Sequence, residues 1–387
     1  MRILQLVLAP RLSGAEMLVK GIAIGHRACG HTVGIASLLP AEDDFADAAH
    51  ELAGHGVACL FPSHRQEHLA RLLFLYRAVR RFAPDIVFAH ATIPAIYARA
   101  LPRAAPIVFV MHSGANDFAD NRRLLWAERL LSRRASAVIG VSPCNVEQYA
   151  STIGPHPALF VVPNGVDVER FRRASRTQHA AEAQAIAARH GSIEGAGPWT
   201  RHDAAKEPGE DEGAAQEKRI VQIGRYTADK GQLDTVRAFR ELLAQEPNAR
   251  LHLYGVVEDR AYHAQVVALV DALGIASRVC IEGPSSDVPG ILARAAVFAM
   301  PSRLEAHSIG FLEALASGVP VVASTISAFA FARDYPGVAL VDTTDIARYA
   351  HALSDALRQP RATRTLTGLT LDETARRYLE IAEKVLA

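Results

Sequence analysis

Two glutamates separated by eight positions are the first candidates for chemistry in this sequence. Glu305 and Glu313 lie in the segment PSRLEAHSIGFLEALASGVPVVA, which spans residues 301–323. Carboxylates placed on either side of a bound phosphate can accept hydrogen bonds from sugar hydroxyls. The alternative is that Glu305 is a solvated loop residue and Glu313 a helix-surface residue, and the two positions alone do not decide between these interpretations.

The residues between the two glutamates predict the start of a short helix. Ser308 is a typical N-cap residue, and Gly318 is a typical residue at a helix C-terminus. The backbone N–H groups of Ile309 and Gly310 would then point outward without an intrahelical partner. A helix start of this kind binds anions, and phosphate above all.

A second candidate is the loop GRYTADKG at residues 224–231, which follows a predicted strand. Arg225 and Lys230 lie between its two outer glycines. A guanidinium can bind a diphosphate through two parallel hydrogen bonds, and an ammonium adds a point charge. A solvated turn would explain the same residues, but lysine is rare here, since the whole chain has five, at positions 20, 206, 218, 230 and 384.

Two further candidates follow strands of the N-terminal half. Gly14 lies in the turn Leu12–Glu16, where a backbone without a side chain could approach a phosphate from the other half of the protein. This turn has a single glycine instead of GxGxxG, so the dinucleotide fingerprint is absent. His112 follows the apolar run Ile107–Met111 and would face the same cleft, although a lone histidine at a strand end is more often structural.

Short apolar runs alternate with helical patterns and would position these residues. The predicted strands are Ile3–Leu8, Thr32–Ser37, Val57–Phe61, Asp85–Ala89, Ile107–Met111, Val138–Val141, Leu159–Val162, Ile220–Ile223, Leu251–Tyr254, Val279–Ile281, Val297–Met300 and Val319–Ala323. Strands that alternate with helices form parallel sheets with helices on both faces. The predicted class is therefore α/β, with two Rossmann-like domains whose parallel sheets face a central cleft, the default ligand site.

Composition divides the chain into three parts. Residues 1–171 form the predicted N-terminal domain, and residues 219–371 form the C-terminal one. Residues 172–218 between them are rich in Ala, Gln, Glu and Gly, so we expect a mobile polar insertion or linker, in which Gln178–Arg189 could form a short exposed helix. The amphipathic segment 372–387 predicts a terminal helix that packs back on the first domain.

The overall composition excludes several classes of protein. Half of the 387 residues are apolar and 42 basic residues balance 41 acidic ones, so neither disorder nor nucleic-acid binding is indicated. The scattered positions of Cys29, Cys59, Cys144 and Cys280 favour a reducing cytoplasm over a disulfide scaffold or a zinc ribbon. No apolar run approaches the ~18 residues of a membrane-spanning helix, which predicts a soluble or at most peripheral protein.

In their order and spacing, these motifs resemble those of the retaining family 4 glycosyltransferases of the GT-B fold. The matching segments are SGAE at 13–16, the strand-end His112, PNGVD at 163–167, GRYTADKG at 224–231 and PSRLEAHSIGFLEALASGVPVVAS at 301–324. The resemblance covers nearly the whole chain outside the predicted insertion. The two glutamates followed by GVPVVA are its most specific part.

The resemblance implies the transfer of a sugar, with retention, from a nucleotide-diphosphate sugar in domain 219–371 to a hydroxyl acceptor in domain 1–171. The acceptor would be a saccharide or lipid-linked saccharide in the synthesis of a cell-envelope polysaccharide, lipopolysaccharide or exopolysaccharide. No metal or other cofactor is implied, because cationic side chains and helix N-termini bind the diphosphate in this family.

The resemblance also assigns roles to the candidate residues. Glu305 would bind hydroxyls of the donor sugar, Glu313 would bind the ribose, and His112 would lie near the reacting centre. The residues implied to bind the diphosphate, or to lie against the donor, are Arg225, Lys230, Gly14, Ser308, Ile309 and Gly310.

One departure from the family pattern leaves the donor sugar open. Many relatives have Gly-Phe-Gly after the first glutamate, whereas this chain has Ala306, His307 and Ser308, which restrict the backbone beside the sugar. The alternatives are a GT-B phosphorylase or epimerase, or an inactive protein that only binds a nucleotide sugar. A pyridoxal-dependent phosphorylase needs a buried Schiff-base lysine, for which Lys230 and Lys384 are poor candidates.

Two segments of the first domain combine arginines with large apolar side chains. Leu69–Phe82 and Asn121–Arg134 suit an anionic membrane surface, which would place the protein on the inner face of the cytoplasmic membrane. The alternative is a pair of ordinary surface helices whose leucines pack in the core. Finally, the pattern from His64 to His68 matches the HxxEH of inverse zincins, and we treat a zinc metallopeptidase as a weaker alternative.

Overall fold

Two parallel sheets flanked by helices organise the described part of the chain. The structure, a computed structural model, describes residues 1–102, 105–113, 118, 121–191 and 217–387, without the side chains of residues 182, 183 and 185–191. The two separate sheets confirm the predicted α/β class with two Rossmann-like domains.

The first sheet contains β1 (Arg2–Val7), β2 (Thr32–Ser37), β3 (Ala58–Leu60), β4 (Ile86–His90), β5 (Ile107–Met111), β6 (Ala137–Gly140) and β7 (Leu159–Val161). The strands are parallel and lie in the order β3-β2-β1-β4-β5-β6-β7. The direction of chain progress reverses between β1 and β4, and parallel sheets open a ligand crevice at such a point. Gly14 follows β1, and His112 follows β5.

Helices cover both faces of this sheet, which explains why Ile3, Leu4 and Leu6 of β1 are fully buried. These helices are α1 (Gly14–Ala28), α2 (Ala46–Gly54), α3 (His68–Phe82), α4 (Thr92–Ala100), α5 (Arg122–Leu131) and α6 (Pro143–Thr152), with 3-10 turns at Asp43–Phe45 and Ser132–Arg134. The next helix, α7 (Val168–Gly191), packs against helices of the second domain. Within the described ranges, none of the helices combines the length and the apolar character that crossing a bilayer requires.

The second sheet contains β8 (Lys218–Ile223), β9 (Ala249–Tyr254), β10 (Val279–Glu282), β11 (Val297–Met300), β12 (Val321–Ser324) and β13 (Val338–Val341). Its parallel strands lie in the order β10-β9-β8-β11-β12-β13. Here the reversal falls between β8 and β11. The loop that carries Lys230 follows β8, and the loop that carries Glu305 follows β11, so both meet at the crevice of this sheet.

The remaining helices are α8 (Gln232–Leu242), α9 (Arg260–Ala272), α10 (Val288–Arg294), α11 (Ile309–Ser317), α12 (Ile346–Ala356) and α13 (Leu371–Leu386), with 3-10 turns at Ala228–Lys230, Ala276–Arg278 and Ser327–Ala332. The terminal helix α13 begins at a capping box formed by Thr370 and Glu373. It packs on α1 of the first domain, where His26 Nε2 lies 2.9 Å from the carbonyl oxygen of Ala375. The chain therefore returns to the first domain at its C-terminal end.

The region between the domains differs from the sequence-based prediction. We predicted a polar insertion from residue 172, but α7 continues without a break from Val168 to Gly191. Phe171 belongs to the core of the second domain, and Ser175 Oγ donates a hydrogen bond to the carbonyl oxygen of Ser317 at 2.9 Å. The predicted helix Gln178–Arg189 lies within α7, whose earlier start was missed because a few small or apolar positions are enough to seat a helix whose other residues are polar. Residues 192–216 lie outside the described residues, so mobility there remains a prediction.

Candidate active site

A buried ion pair lies where the loops after β8 and β11 meet. Lys230 Nζ is 2.8 Å from Glu305 Oε1 and 3.4 Å from Asp229 Oδ2. The side chains of Lys230 and Glu305 are only 11% and 10% exposed. Gln222 of β8 donates from Nε2 to the backbone oxygen of Lys230 at 2.7 Å, which fixes the loop that presents the ammonium. Two predicted site residues from distant parts of the chain are thus in direct contact.

Arg225 lies in the same loop but has a different partner. Its Nη1 donates to both carboxylate oxygens of Glu258, at 2.8 and 2.7 Å, and its side chain is 40% exposed. Gln232 Nε2 donates to the Arg225 backbone oxygen at 2.9 Å and so anchors the loop from the start of α8. In this structure each of the two predicted cations already contacts a carboxylate, Lys230 that of Glu305 and Arg225 that of Glu258.

The predicted helix start is present and meets the first domain. Ser308 is the N-cap of α11, with its Oγ accepting a hydrogen bond from the backbone N–H of Phe311 at 3.4 Å. The N–H groups of Ile309 and Gly310 donate to no group within the described residues. Gly14, the first residue of α1, lies against Ile309, because a Cβ on Gly14 would be 3.3 Å from the Ile309 Cβ. Two helix N-termini, one from each domain, therefore converge, and both favour an anion.

The motif PNGVD holds this junction together. Asn164, which is buried, donates from Nδ2 to the backbone oxygen of His307 at 2.7 Å. Gly165 packs so closely on the returning chain that a Cβ there would lie 2.2 Å from the Thr370 backbone oxygen. Val166 forms an isolated parallel bridge with Thr370. The first domain thus fixes the backbone of the loop between Glu305 and α11.

His112 is part of a buried polar chain that sequence reasoning did not reveal. Its Nε2 lies 2.9 Å from Nδ1 of His90, and Nε2 of His90 lies 2.7 Å from Oε1 of Gln5. Burial lowers the pKa of His112 to about 4. Burial and the neighbouring His112 ring hold the pKa of His90 well below its usual range. Both imidazoles are therefore neutral at pH 7.

The hydrogen bonds of this chain define the tautomer of each ring. The Gln5 oxygen can only accept, so His90 carries its proton on Nε2 and accepts on Nδ1. His112 must then donate from Nε2, which leaves a lone pair on its Nδ1. That nitrogen is buried and has no hydrogen-bond partner among the described residues. His90 is the last residue of β4, and His112 directly follows β5. This similar position at the end of a neighbouring strand could have identified His90 from the sequence.

Glu313 lies on α11. Within the described ranges, neither Glu313 nor His112 forms a hydrogen bond or an ion pair with Lys230 or Glu305. Burial raises the pKa of Glu313 to about 7, against a smaller opposite effect of the Arg170 guanidinium. The carboxyl is therefore close to half-protonated at neutral pH.

The zinc metallopeptidase alternative is wrong, because His64 and His68 are not arranged on one helix face as zinc ligands would be. Helix α3 begins only at His68, so His64 lies in the preceding loop and the two histidines do not share a helix face. His64 Nδ1 is 3.1 Å from Ser63 Oγ, and His68 Nδ1 is 2.5 Å from the Tyr97 hydroxyl. The pattern has the residue types of an inverse zincin without its arrangement.

Comparison with known families agrees with this geometry. Residues 12–170 match the family model described as Glycosyltransferase Family 4, and residues 217–359 match the one described as Glycosyl transferases group 1. The chain belongs to the family 4-like glycosyltransferases. The two matches leave residues 171–216 between them, and together they contain every predicted site residue of this chain.

Two curated relatives illustrate the range of the family. The GDP-mannose-dependent alpha-(1-6)-phosphatidylinositol monomannoside mannosyltransferase of Mycolicibacterium smegmatis is 30% identical over 245 residues, which cover 61% of this chain and 56% of that protein. The GDP-mannose:cellobiosyl-diphosphopolyprenol alpha-mannosyltransferase of Xanthomonas campestris is 23% identical over 345 residues, which cover 83% of this chain and 77% of that protein. This chain thus spans little more than half the length of the first relative.

A solved structure supports the architecture. HepE from Anabaena, in complex with UDP and glucose, superimposes with a TM-score of 0.71 at 18% identity, covering 100% of this chain and 97% of that one. At this identity the similarity establishes the fold. Together with the two separate parallel sheets, it confirms the predicted GT-B architecture of this chain.

The position of the Arg225 loop depends on a close backbone contact, and a substitution there tests it. A Cβ on Gly255, just after β9, would lie 1.9 Å from the Gly224 backbone oxygen, whereas a Cβ on Gly283 would meet nothing within 4 Å. We expect Gly255→Ala to displace the loop and lower the free energy of unfolding by about 1–3 kcal/mol. Gly283→Ala is the matched control. Urea unfolding measures both, and equal midpoints for the two variants would contradict the assigned contact.

Proposed function

We propose that this chain is a retaining, metal-independent glycosyltransferase that moves a sugar from a nucleotide-diphosphate sugar to a hydroxyl acceptor. The observation that carries the proposal is the convergence of the starts of α1 and α11, where the loop that leads into α11 carries Glu305, the buried partner of Lys230. In a member of this family, such a concentration of N–H groups and positive charge suits the diphosphate of a nucleotide sugar.

Binding of the diphosphate would exchange partners at the two cations. Arg225 would release Glu258 and turn its guanidinium to the phosphates, while Lys230 would share its ammonium between a phosphate oxygen and Glu305. The N–H groups of Gly14, Ile309 and Gly310 would bind the remaining oxygens. These donors are in place before the reaction, so they can stabilise the charge that develops on the leaving diphosphate without a divalent cation.

Glu305 and His112 would position the donor sugar. Because Lys230 holds one oxygen of Glu305, the other oxygen remains to accept from a sugar hydroxyl. The Nδ1 lone pair of His112 can accept from a second hydroxyl, and His90 is the positioning residue that sets this tautomer. A neutral His112 with a pKa of about 4 is a weak base, so we assign the proton of the acceptor hydroxyl to the leaving phosphate.

The proposed reaction takes place on one face of the sugar. The bond from the anomeric carbon to the diphosphate oxygen breaks, and the bond to the acceptor oxygen forms on the same side, which retains the configuration. The acceptor proton passes to the departing phosphate. GDP-mannose is the first donor to test, because both curated relatives reported above are GDP-mannose enzymes by name. Glu313 would bind the ribose of either a guanosine or a uridine nucleotide.

The acceptor we propose is a lipid-linked saccharide used in cell-envelope polysaccharide, lipopolysaccharide or exopolysaccharide synthesis at the inner face of the cytoplasmic membrane. The two curated relatives are named for phosphatidylinositol and diphosphopolyprenol acceptors. The first domain also carries an apolar and cationic surface, formed by α3 and α5 with α4 between them. On α4, Tyr97 contacts α3 through His68 and Arg99 contacts α5 through Glu128, so the three helices lie side by side.

Large apolar side chains protrude from this surface, contrary to the interpretation that its leucines all pack in the core. Leu69 is 81% exposed, Trp126 is 68% exposed and Leu130 is 62% exposed. The exposed arginines of the same two segments are Arg77, Arg80, Arg81, Arg122, Arg123, Arg129, Arg133 and Arg134. Aromatic and leucine side chains beside arginines suit the interface of an anionic bilayer.

Removal of the Lys230 charge tests the proposed function. Lys230→Gln keeps a hydrogen bond donor for Glu305 but removes the ammonium, and we expect kcat/KM for transfer from GDP-mannose or UDP-glucose to fall by about 10²–10³-fold. Release of the nucleoside diphosphate, measured in EDTA with a lipid-linked saccharide acceptor, gives the rate. Lys384→Ala, exposed on α13, is the control. Wild-type turnover by Lys230→Gln, or nucleotide binding by the wild type with no product from any donor, would overturn the proposal.

The raised pKa of Glu313 predicts a pH dependence of nucleotide binding. An ionised carboxylate is the better acceptor for ribose hydroxyls, and with a pKa of about 7 it becomes ionised as the pH rises through neutrality. Affinity for GDP or UDP should therefore be up to about tenfold higher near pH 8 than near pH 6. In Glu313→Gln, the pH dependence of affinity that comes from the Glu313 carboxyl should be absent. The dependence that comes from ionisation of the nucleotide's own phosphate should remain. Calorimetry at both pH values measures the difference, and the same ratio in the two proteins would exclude the assignment.

Flotation with vesicles tests the membrane surface. At low salt, the protein should co-float with vesicles that contain anionic lipid and remain behind with neutral ones. The double variant Trp126→Ser/Leu130→Ser should lose most of this binding. Val267→Ser, which removes a 38% exposed side chain from α9 of the other domain, should bind as the wild type does. Unchanged flotation of the double variant would place the membrane contact elsewhere.

A further inference from the structure

A cluster of metal-ligating side chains lies on the edge strands of the second sheet, outside the residues assigned to transfer. His252 of β9 pairs in register with Cys280 of β10, and Glu282 follows two positions further on. Alternate residues of a strand share a face, and paired residues of neighbouring strands project in the same direction, so all three side chains lie on one face. One ligand atom from each residue lies within 4.8 Å of those of the other two.

The surroundings of His252 are an independent sign that this cluster can bind a ligand. Both of its ring nitrogens are buried, and neither has a hydrogen-bond partner among the described residues. Nδ1 comes no closer than 3.6 Å to Glu282 Oε1, which is too long for a hydrogen bond. A buried nitrogen without a partner is unfavourable, and native structures rarely leave one so. A metal ion bound between His252, Cys280 and Glu282 would give one of these imidazole nitrogens a partner.

We propose that His252, Cys280 and Glu282 form a zinc-binding site. Imidazole nitrogen, thiolate sulfur and carboxylate oxygen are all zinc ligands, at distances of about 2.0–2.3 Å. Tetrahedral coordination needs ligand atoms roughly 3.3–3.8 Å apart, so the cluster must contract by about 1 Å. Glu282 is exposed and can make this movement by side-chain rotation. The thiolate and the carboxylate neutralise the charge of the ion, and the fourth position is open to water.

Zinc at this position would act on the fold of the donor domain and not on the transfer step. It would join β10, an edge strand, to β9 through side chains as well as through the backbone. The backbone oxygen of Glu282 accepts hydrogen bonds from Gly255 N–H at 3.3 Å and from the Tyr226 hydroxyl at 3.0 Å. Fixing Glu282 therefore also fixes the support of the Gly224–Arg225 loop. The inference does not depend on the proposed transfer reaction.

Cobalt provides a spectroscopic test on the full chain. After treatment with EDTA and removal of the chelator, addition of Co²⁺ should produce a thiolate-to-cobalt charge-transfer band and the visible bands of tetrahedral cobalt, which equimolar Zn²⁺ should remove. Cys280→Ser should lose the charge-transfer band. Cys59→Ser is the matched control, because Cys59 lies on β3, an edge strand of the first sheet, and is exposed. This variant should keep the band.

The remaining variants separate loss of a ligand from loss of the fold. Glu282→Gln and His252→Gln should weaken Co²⁺ binding at least about tenfold, and Zn²⁺ should raise the melting temperature of the wild type but not that of Cys280→Ser. Circular dichroism without metal should be the same for Glu282→Gln, whose side chain is exposed, as for the wild type. Absence of the band in the wild type, its persistence in Cys280→Ser, or its loss in Cys59→Ser would each overturn the zinc site.

Discussion

The close backbone contact between Gly165 and Thr370 is the constraint on which the rest of the structure depends. Each sheet can form its own crevice, but a diphosphate site built from both requires the two crevices to face each other. The motif PNGVD brings this about, because Gly165 admits the returning chain and Asn164 reaches across to the backbone of His307. With that contact in place, Gly14 meets Ile309 and the two helix N-termini converge.

The site is also organised by competition between charges. Lys230 and Arg225 each contact a carboxylate, and these contacts keep the loop ordered when no phosphate is bound. Under the proposed function, a phosphate would displace Glu258 from the half-exposed Arg225 with little resistance, since surface ion pairs contribute little to stability. The pair of Lys230 with Glu305 is far more buried, so it is better suited to remain intact and to accept the ligand as a third member. Arg225 can thus exchange its carboxylate partner, whereas Lys230 keeps its contact with Glu305.

Local signals in the sequence were sufficient for most of the fold and for part of the site. Alternation of apolar runs and helical patterns located the strands at the two crevices, and Ser308 with Gly318 marked α11 because capping residues act on their immediate neighbours. Strand β13 was missed, since Val338–Val341 is only partly buried at the sheet edge. The partners of the functional groups were also missed: Glu258 is 33 positions from Arg225, and Gln5 is 85 positions from His90. Such contacts depend on how the strands are ordered in the sheet, and no short pattern encodes that order.

Within the part of the chain that the structure describes, the backbone crosses between the domains on the way into α7 and again on the way into α13. The two crossings are adjacent and are joined by the bridge between Val166 and Thr370. With one connecting segment, one domain could rotate about the other in any direction. Two adjacent connecting segments allow the domains to bend about one axis and oppose twisting of one domain against the other. Opening of the cleft should therefore be a hinge-like rotation about these two crossing segments, so that Gly14 returns to the same contact with Ile309 on each closure.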